Sequence, residues 1–145
     1  MVRAPGHPAA DPLIRDLGVE ALRQRAEGDG EEARAAVRIL EYAFVVTAFY
    51  EPPRYLDEGD PARAQVMLDV AAAIKPGHPL VCFGRARAHA RLGQIAEGLD
   101  ALECAVDAGA VALSTLEEHA DLEALRSDPA IADLLERARR DLTPY

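Results

Sequence analysis

Apolar residues recur at helical spacing along most of the chain. Leu13, Ile14, Leu17 and Ala21 form a first stripe that runs to about Glu27, where Gly28-Asp29-Gly30 interrupts it. From Glu31 to about Tyr50 two apolar faces run side by side. Ala33, Val37, Leu40, Phe44 and Ala48 make one; Ile39, Tyr42, Val46 and Phe49 make the other. A helix apolar on two faces belongs between neighbours. The aromatic and β-branched run from Phe44 to Tyr50 also suits a strand. Helix is preferred because the upstream pattern continues into it and no partner strand is visible.

Pro52-Pro53 should end or sharply kink that helix, since neither residue has an N–H and each disfavours helical backbone before it. The next stripe, Ala64, Met67, Leu68, Ala71 and Ile74, predicts a helix from Pro61 to about Lys75, stopped by Lys75-Pro76-Gly77-His78-Pro79. Helices from about Leu80 to Leu92 and from about Ile95 to Asp107 follow, with a turn at Gly93. Ser114 to Arg126 reads as a shorter, less regular helix. Pro129 to about Asp141 reads as the last, with Arg137, Arg139 and Arg140 near its C-terminal end, where cations suit the dipole. Asp11-Pro12, Asp60-Pro61 and Asp128-Pro129 share one start device, a capping carboxylate before a proline at the first helical position. The pattern gives about eight helices in antiparallel pairs with short connections.

Composition narrows this picture. The chain has 145 residues, half of them hydrophobic, but only 5% aromatic and no Trp, so its core is aliphatic and small-residue rich. That favours close helix–helix contact, and the length suits one domain. Net charge is −9, with 12 acids and 7 bases in residues 1–60 and 13 and 9 in residues 61–145. Binding to a phosphate backbone needs clustered Lys and Arg, so no nucleic-acid partner is expected. No apolar run is long enough to cross a membrane. The leader, residues 1–10, lacks an apolar signal core and reads as flexible. Cys82 and Cys104 form no metal motif and no disulfide framework by spacing, which suggests a reducing, cytoplasmic location.

A period of 34 residues links the middle of the chain to itself. Gly59, Ala64, Leu68 and Ala71 are answered by Gly93, Gly98, Leu102 and Ala105. This helix–turn–helix period resembles the tetratricopeptide repeat. In residues 79–112, Leu92-Gly93 fits the family's turn and Gly98 the small residue where two helices cross. Leu102 fits the large apolar position and Ala105 the next small one. In residues 45–78, Tyr55, Gly59, Ala64, Leu68, Ala71 and the terminating Pro76 match. The family's Trp-x-x-Leu-Gly is replaced by Cys82, Arg85 and Ala86 in one unit and by Ala48, Glu51 and Pro52 in the other. The segment HADLEALRSDPAIADLLERAR resembles the closing segment of such arrays in many bacterial proteins. The resemblance covers roughly the last hundred residues. It implies an all-α domain over residues 11–145, antiparallel hairpins stacked as a short right-handed α–α superhelix. N-terminal helices occupy 11–44, two repeat-like units 45–112, and a degenerate unit with a capping helix 113–145.

Candidate chemistry is sparse. Ser114 and Ser127 are the two serines, no nucleophile elbow is present, and Ser127 is better placed in a helix cap. Cys82 and Cys104 lie on apolar faces and read as buried structural residues. His78, Cys82, Cys104 and His119 make a zinc-like set only on paper, because none has recognised ligand spacing. No phosphate-binding loop occurs. No catalytic residue, metal or cofactor is therefore assigned. The resemblance implies a groove lined by the first helix of each unit, which binds a peptide or protein. Val46 and Phe49 would line it in one unit, and Phe83, Arg87, Ala90 and Arg91 in the other. Arg87 and Arg91 are four apart and point the same way, so both forks can hold an acidic segment or pair internally. A non-enzymatic interaction module is the leading reading. The alternatives are a homodimer using the apolar 42–50 helix, and a small helical ligand-binding protein or enzyme.

Overall fold

The structure is a computed structural model, and it describes residues 10–141. The reading of a flexible leader falls on residues 1–9 and so lies outside the described residues, apart from Ala10. Among the described residues ten α-helices follow in order: α1 Ala10–Leu17, α2 Val19–Ala26, α3 Glu31–Val45, α4 Glu51–Asp57, α5 Pro61–Ile74, α6 Pro79–Arg91, α7 Ile95–Asp107, α8 Leu113–Glu118, α9 Glu123–Arg126 and α10 Ile131–Asp141. A π turn, Val46–Tyr50, joins α3 to α4, and a 3₁₀ turn, Ala120–Leu122, precedes α9. No strand occurs among the described residues, so the Phe44–Tyr50 run is helical. The chain divides into two compact units at Pro76/Gly77.

In the first unit, α2 packs against α3, and α4 against α5; α1 and α3 also touch α5. Helix α5 is buried on most sides through Ala64, Leu68, Val70, Ala71, Ala72 and Ile74, and it also buries Gln65 and Asp69. Their side chains answer each other, Gln65 Nε2 donating to Asp69 Oδ1 at 2.7 Å. The first predicted helix is two, because the chain breaks at Gly18. Asp11 is consequently not a cap; it lies inside the first turn of α1.

Pro52-Pro53 does not end the helix. The backbone widens first: Glu51 N–H reaches back five residues to Val46 O, and Thr47 Oγ1 donates to Ala43 O at 2.7 Å. The prolines then occupy the first turn of α4, where a missing N–H removes no intrahelical bond. A wide turn thus resolves what an uninterrupted α-helix cannot accommodate.

The second unit is built on the α6–α7 hairpin, with α10 against α7 and α9 against both. Its core joins Ala86, Leu102, Ala105, Val106, Leu116, Leu122 and Leu125. Each such buried leucine contributes about 2 kcal/mol relative to exposure. The expected Ser114–Arg126 helix is three short pieces, α8, the 3₁₀ turn and α9. Asp60 caps α5 through Arg63 N–H at 3.1 Å. Asp128 accepts from Ala130 N–H at 2.9 Å, one turn before α10 begins. Ser127 is the C-cap residue of α9, and its hydroxyl donates back to Glu123 O at 3.4 Å.

The two ends that share the 34-residue period are built alike. Asp60 N–H bonds Tyr55 O at 2.8 Å and Gly59 N–H bonds Leu56 O; Gln94 N–H bonds His89 O at 2.9 Å and Gly93 N–H bonds Ala90 O. Gly59 and Gly93 take φ values of 79° and 74°, the left-handed conformation that such helix ends need.

Candidate functional site

One partly covered side of α6 carries Phe83, Arg87 and Arg91, expected as groove residues in the second unit, and the closing segment packs against it. Phe83, Arg87 and Arg91 lie one turn apart along α6. Ala90, expected beside them, faces the other way; it is 3% exposed and belongs to the hydrophobic core. Phe83 is half-buried and meets the His119 ring edge-on, with centroids 5.8 Å apart.

Both arginines converge on one carboxylate. Arg87 Nε donates to Asp121 Oδ2 at 2.9 Å, and Arg91 Nε lies 3.8 Å from Asp121 Oδ1. All three side chains are between one-sixth and one-third exposed, so the cluster is shielded without being sealed. The internal pairing weighed from the sequence is therefore present, and its acid comes from the 3₁₀ turn. Local hydrogen bonds fix that turn. His119 Nδ1 accepts from Asp121 N–H at 3.1 Å, while Arg126 Nη1 donates to the carbonyls of His119 at 2.7 Å and Leu116 at 3.3 Å. Burial, reinforced by the Arg87 and Arg126 charges against the smaller opposing pull of Asp121, holds the His119 pKa below its ordinary 6.5. The ring is thus neutral at pH 7 and free to accept through Nδ1. Arg87 commits Nε to Asp121, and its two terminal amino groups bond no other described residue.

In the first unit, Val46 and Phe49 stand on the π turn. Val46 is half-buried; Phe49 is 39% exposed and packs edge-on against Phe44, with centroids 5.7 Å apart. Tyr42 and Tyr50 are more open, at 75% and 69%.

The cysteines correct the sequence reading. Cys82 on α6 and Cys104 on α7 are joined as a disulfide, with Cα atoms 6.0 Å apart, and no free cysteine remains. The two stand 11 residues either side of Gly93 (93−82 and 104−93), so the antiparallel hairpin sets them opposite each other. That symmetry was the available signal. It also removes the argument for a reducing compartment that rested on unpaired thiols. Among the described residues no three His, Cys, Asp or Glu side chains are grouped to hold a metal ion, and His78 Nδ1 accepts from Leu80 N–H. No described helix is long and apolar enough to cross a membrane.

Asp121 and Arg126 were missed as site residues, and His119 was weighed only as a metal ligand. Arg87 and Asp121 are 34 residues apart, the repeat period itself. A search for opposite charges at that separation finds the pair.

Comparison with known proteins gives one result. A family model described as tetratricopeptide repeat matches residues 55–138, more than half of the chain. No curated protein and no solved structure matches.

Proposed function

Because the chain belongs to the tetratricopeptide-repeat family, whose domains generally mediate protein–protein interaction, we propose that it is a non-enzymatic adaptor. In this reading α6 of the second unit receives a peptide segment of a partner protein. The observation that carries the reading is the Phe83–Arg87–Arg91 face, where an aromatic ring adjoins two arginines organised by Asp121. Asp121 orients the forks and neutralises part of their charge. The ligand then meets donors already positioned, which lowers the ordering cost of binding. An extended segment offering a carboxylate or backbone carbonyls to the Arg87 amino groups, with an apolar side chain against Phe83, fits that chemistry.

The test is capture of synthetic peptides selected on the wild-type protein, compared with the Arg87→Ala/Arg91→Ala variant. Loss of about tenfold or more in affinity is expected, the scale of a charge-assisted hydrogen bond. Unchanged capture by the double variant removes the site.

A second reading rests on Tyr42, Phe49, Tyr50 and Ile39, all among the large exposed apolar residues of the first unit. Such a face suits self-association into a homodimer. Light scattering across a concentration series tests it, since a strict monomer eliminates it.

A further inference from the structure

A different surface, mostly outside the repeat-matched region, combines a hollow with uncommitted cations. Two depressions of 290 and 450 Å³ on the α2–α3 hairpin share Ala26 and Val37, and so form one trough. It runs from the Gly28–Gly30 turn toward the end of α5. Its floor is apolar: Ala26, Val37, Leu40 and Ile74. Val37 is 44% exposed, although it sits mid-helix among buried Ala33 and Ala36.

The charges around this floor are used unequally. At one end Arg23 Nη1 donates to Ala73 O at 3.1 Å, and Lys75 pairs with Glu41 at 3.0 Å. At the other end Arg34 and Arg38 line the trough, four residues apart on α3 and both exposed. Neither has a hydrogen bond or ion pair with any described residue. Residues at this spacing present their side chains about 5–6 Å apart on one helix face. Two forks at that distance can grip a carboxylate from both sides.

We propose that this trough is a second docking site, for an acidic amphipathic peptide segment of a partner protein. The occupant lays a large apolar side chain on Val37 and sets a carboxylate, one helical turn away, between Arg34 and Arg38. Charge complementarity selects this ligand. A polyanion is disfavoured, because Glu27, Asp29 and Glu41 line the same trough, Glu31 and Glu32 open α3, and the chain carries −9 overall. A peptide with one or two acids avoids those carboxylates and still meets the arginine pair. The site is independent of α6, so either site can fail alone.

The probe is a random dodecapeptide display library panned on the full chain. Enriched peptides should place Asp or Glu three or four positions from Leu, Ile or Phe. Synthesised singly, they should bind Arg34→Glu/Arg38→Glu at least about tenfold more weakly than wild type. They should also weaken on Val37→Asp and be unaffected by Arg87→Ala/Arg91→Ala. Arg34, Val37 and Arg38 are exposed positions, and circular dichroism checks that helicity is kept in every variant. Three results overturn the proposal. One is that no enriched peptide depends on Arg34 and Arg38. Another is that binding is lost equally in the Arg87/Arg91 variant. The third is that the Arg34/Arg38 variant changes the protein's own association state in light scattering, which makes the occupant a second copy of the chain.

Discussion

His119 sits where the closing segment meets α6, and its charge state has a consequence for stability. The folded protein holds its pKa below the ordinary 6.5, chiefly by burial. The unfolded chain therefore binds the proton first as pH falls. The stabilisation is complete above pH 6.5 and is lost as pH drops from there through the folded pKa. Thermal unfolding should show a lower Tm at pH 5 than at pH 7. His119→Asn, which can still accept the Asp121 N–H, should flatten that slope; an unchanged acid slope would assign it to other groups. Gly98 is the second decisive residue. A Cβ there would come within 2.8 Å of Leu125 Cδ2 and 3.5 Å of His89 Cβ. Leu125 is fully buried and has little room to withdraw. Gly98→Ala already places that Cβ against Leu125 and should cost stability, offset in part by about 1 kcal/mol of helix propensity. Gly98→Val should cost about 1–3 kcal/mol in denaturant unfolding, the scale of overpacking.

At the scale of elements, the period that linked Gly59 to Gly93 also organises the charges. Lys75 and Glu41, Arg87 and Asp121, and Arg137 and Glu103 each bond across 34 residues. Equivalent positions in successive hairpins therefore face one another with opposite sign. The helices themselves were legible from apolar spacing, including the ambiguous Phe44–Tyr50 run. The treatment of Pro52-Pro53 was not. Propensity rules describe what proline does inside an α-helix, and the chain leaves that geometry by a π turn stabilised by the Thr47 hydroxyl. The break at Gly18 was hidden because the stripe of Leu13, Leu17 and Ala21 runs through it. The disulfide offers a separate test of the hairpin. It closes a loop with a sequence separation of 22, which corresponds to about 3 kcal/mol of restricted unfolded-state entropy. Cys82→Ser should lower stability by about that amount in oxidising buffer, and by much less with excess dithiol reductant present. An equal loss in both buffers would make it a packing effect.

Taken as a whole, the chain reads as a scaffold whose sequence announces its architecture more clearly than its ligand. Turn glycines, small crossing residues and the closing segment repeat in a fixed period because helix packing demands it. In the proposed binding face that period survives only in the Arg87–Asp121 pair. The residues of that face come from different segments, as Arg87 and Arg91 on α6 come together with Asp121 on the 3₁₀ turn. Phe83, Arg87 and Arg91 could be placed on one face from their spacing. Ala90 could not be told from them, because a small residue suits a core and a groove equally; burial decides for the core. The adaptor reading is tested most directly by an amide NMR titration of the labelled protein with a selected peptide whose capture depends on Arg87 and Arg91. The account predicts the largest shifts along residues 83–91 and 119–126, absent in the Arg87→Ala/Arg91→Ala variant. Shifts that spare α6, or that persist in the variant, would contradict it.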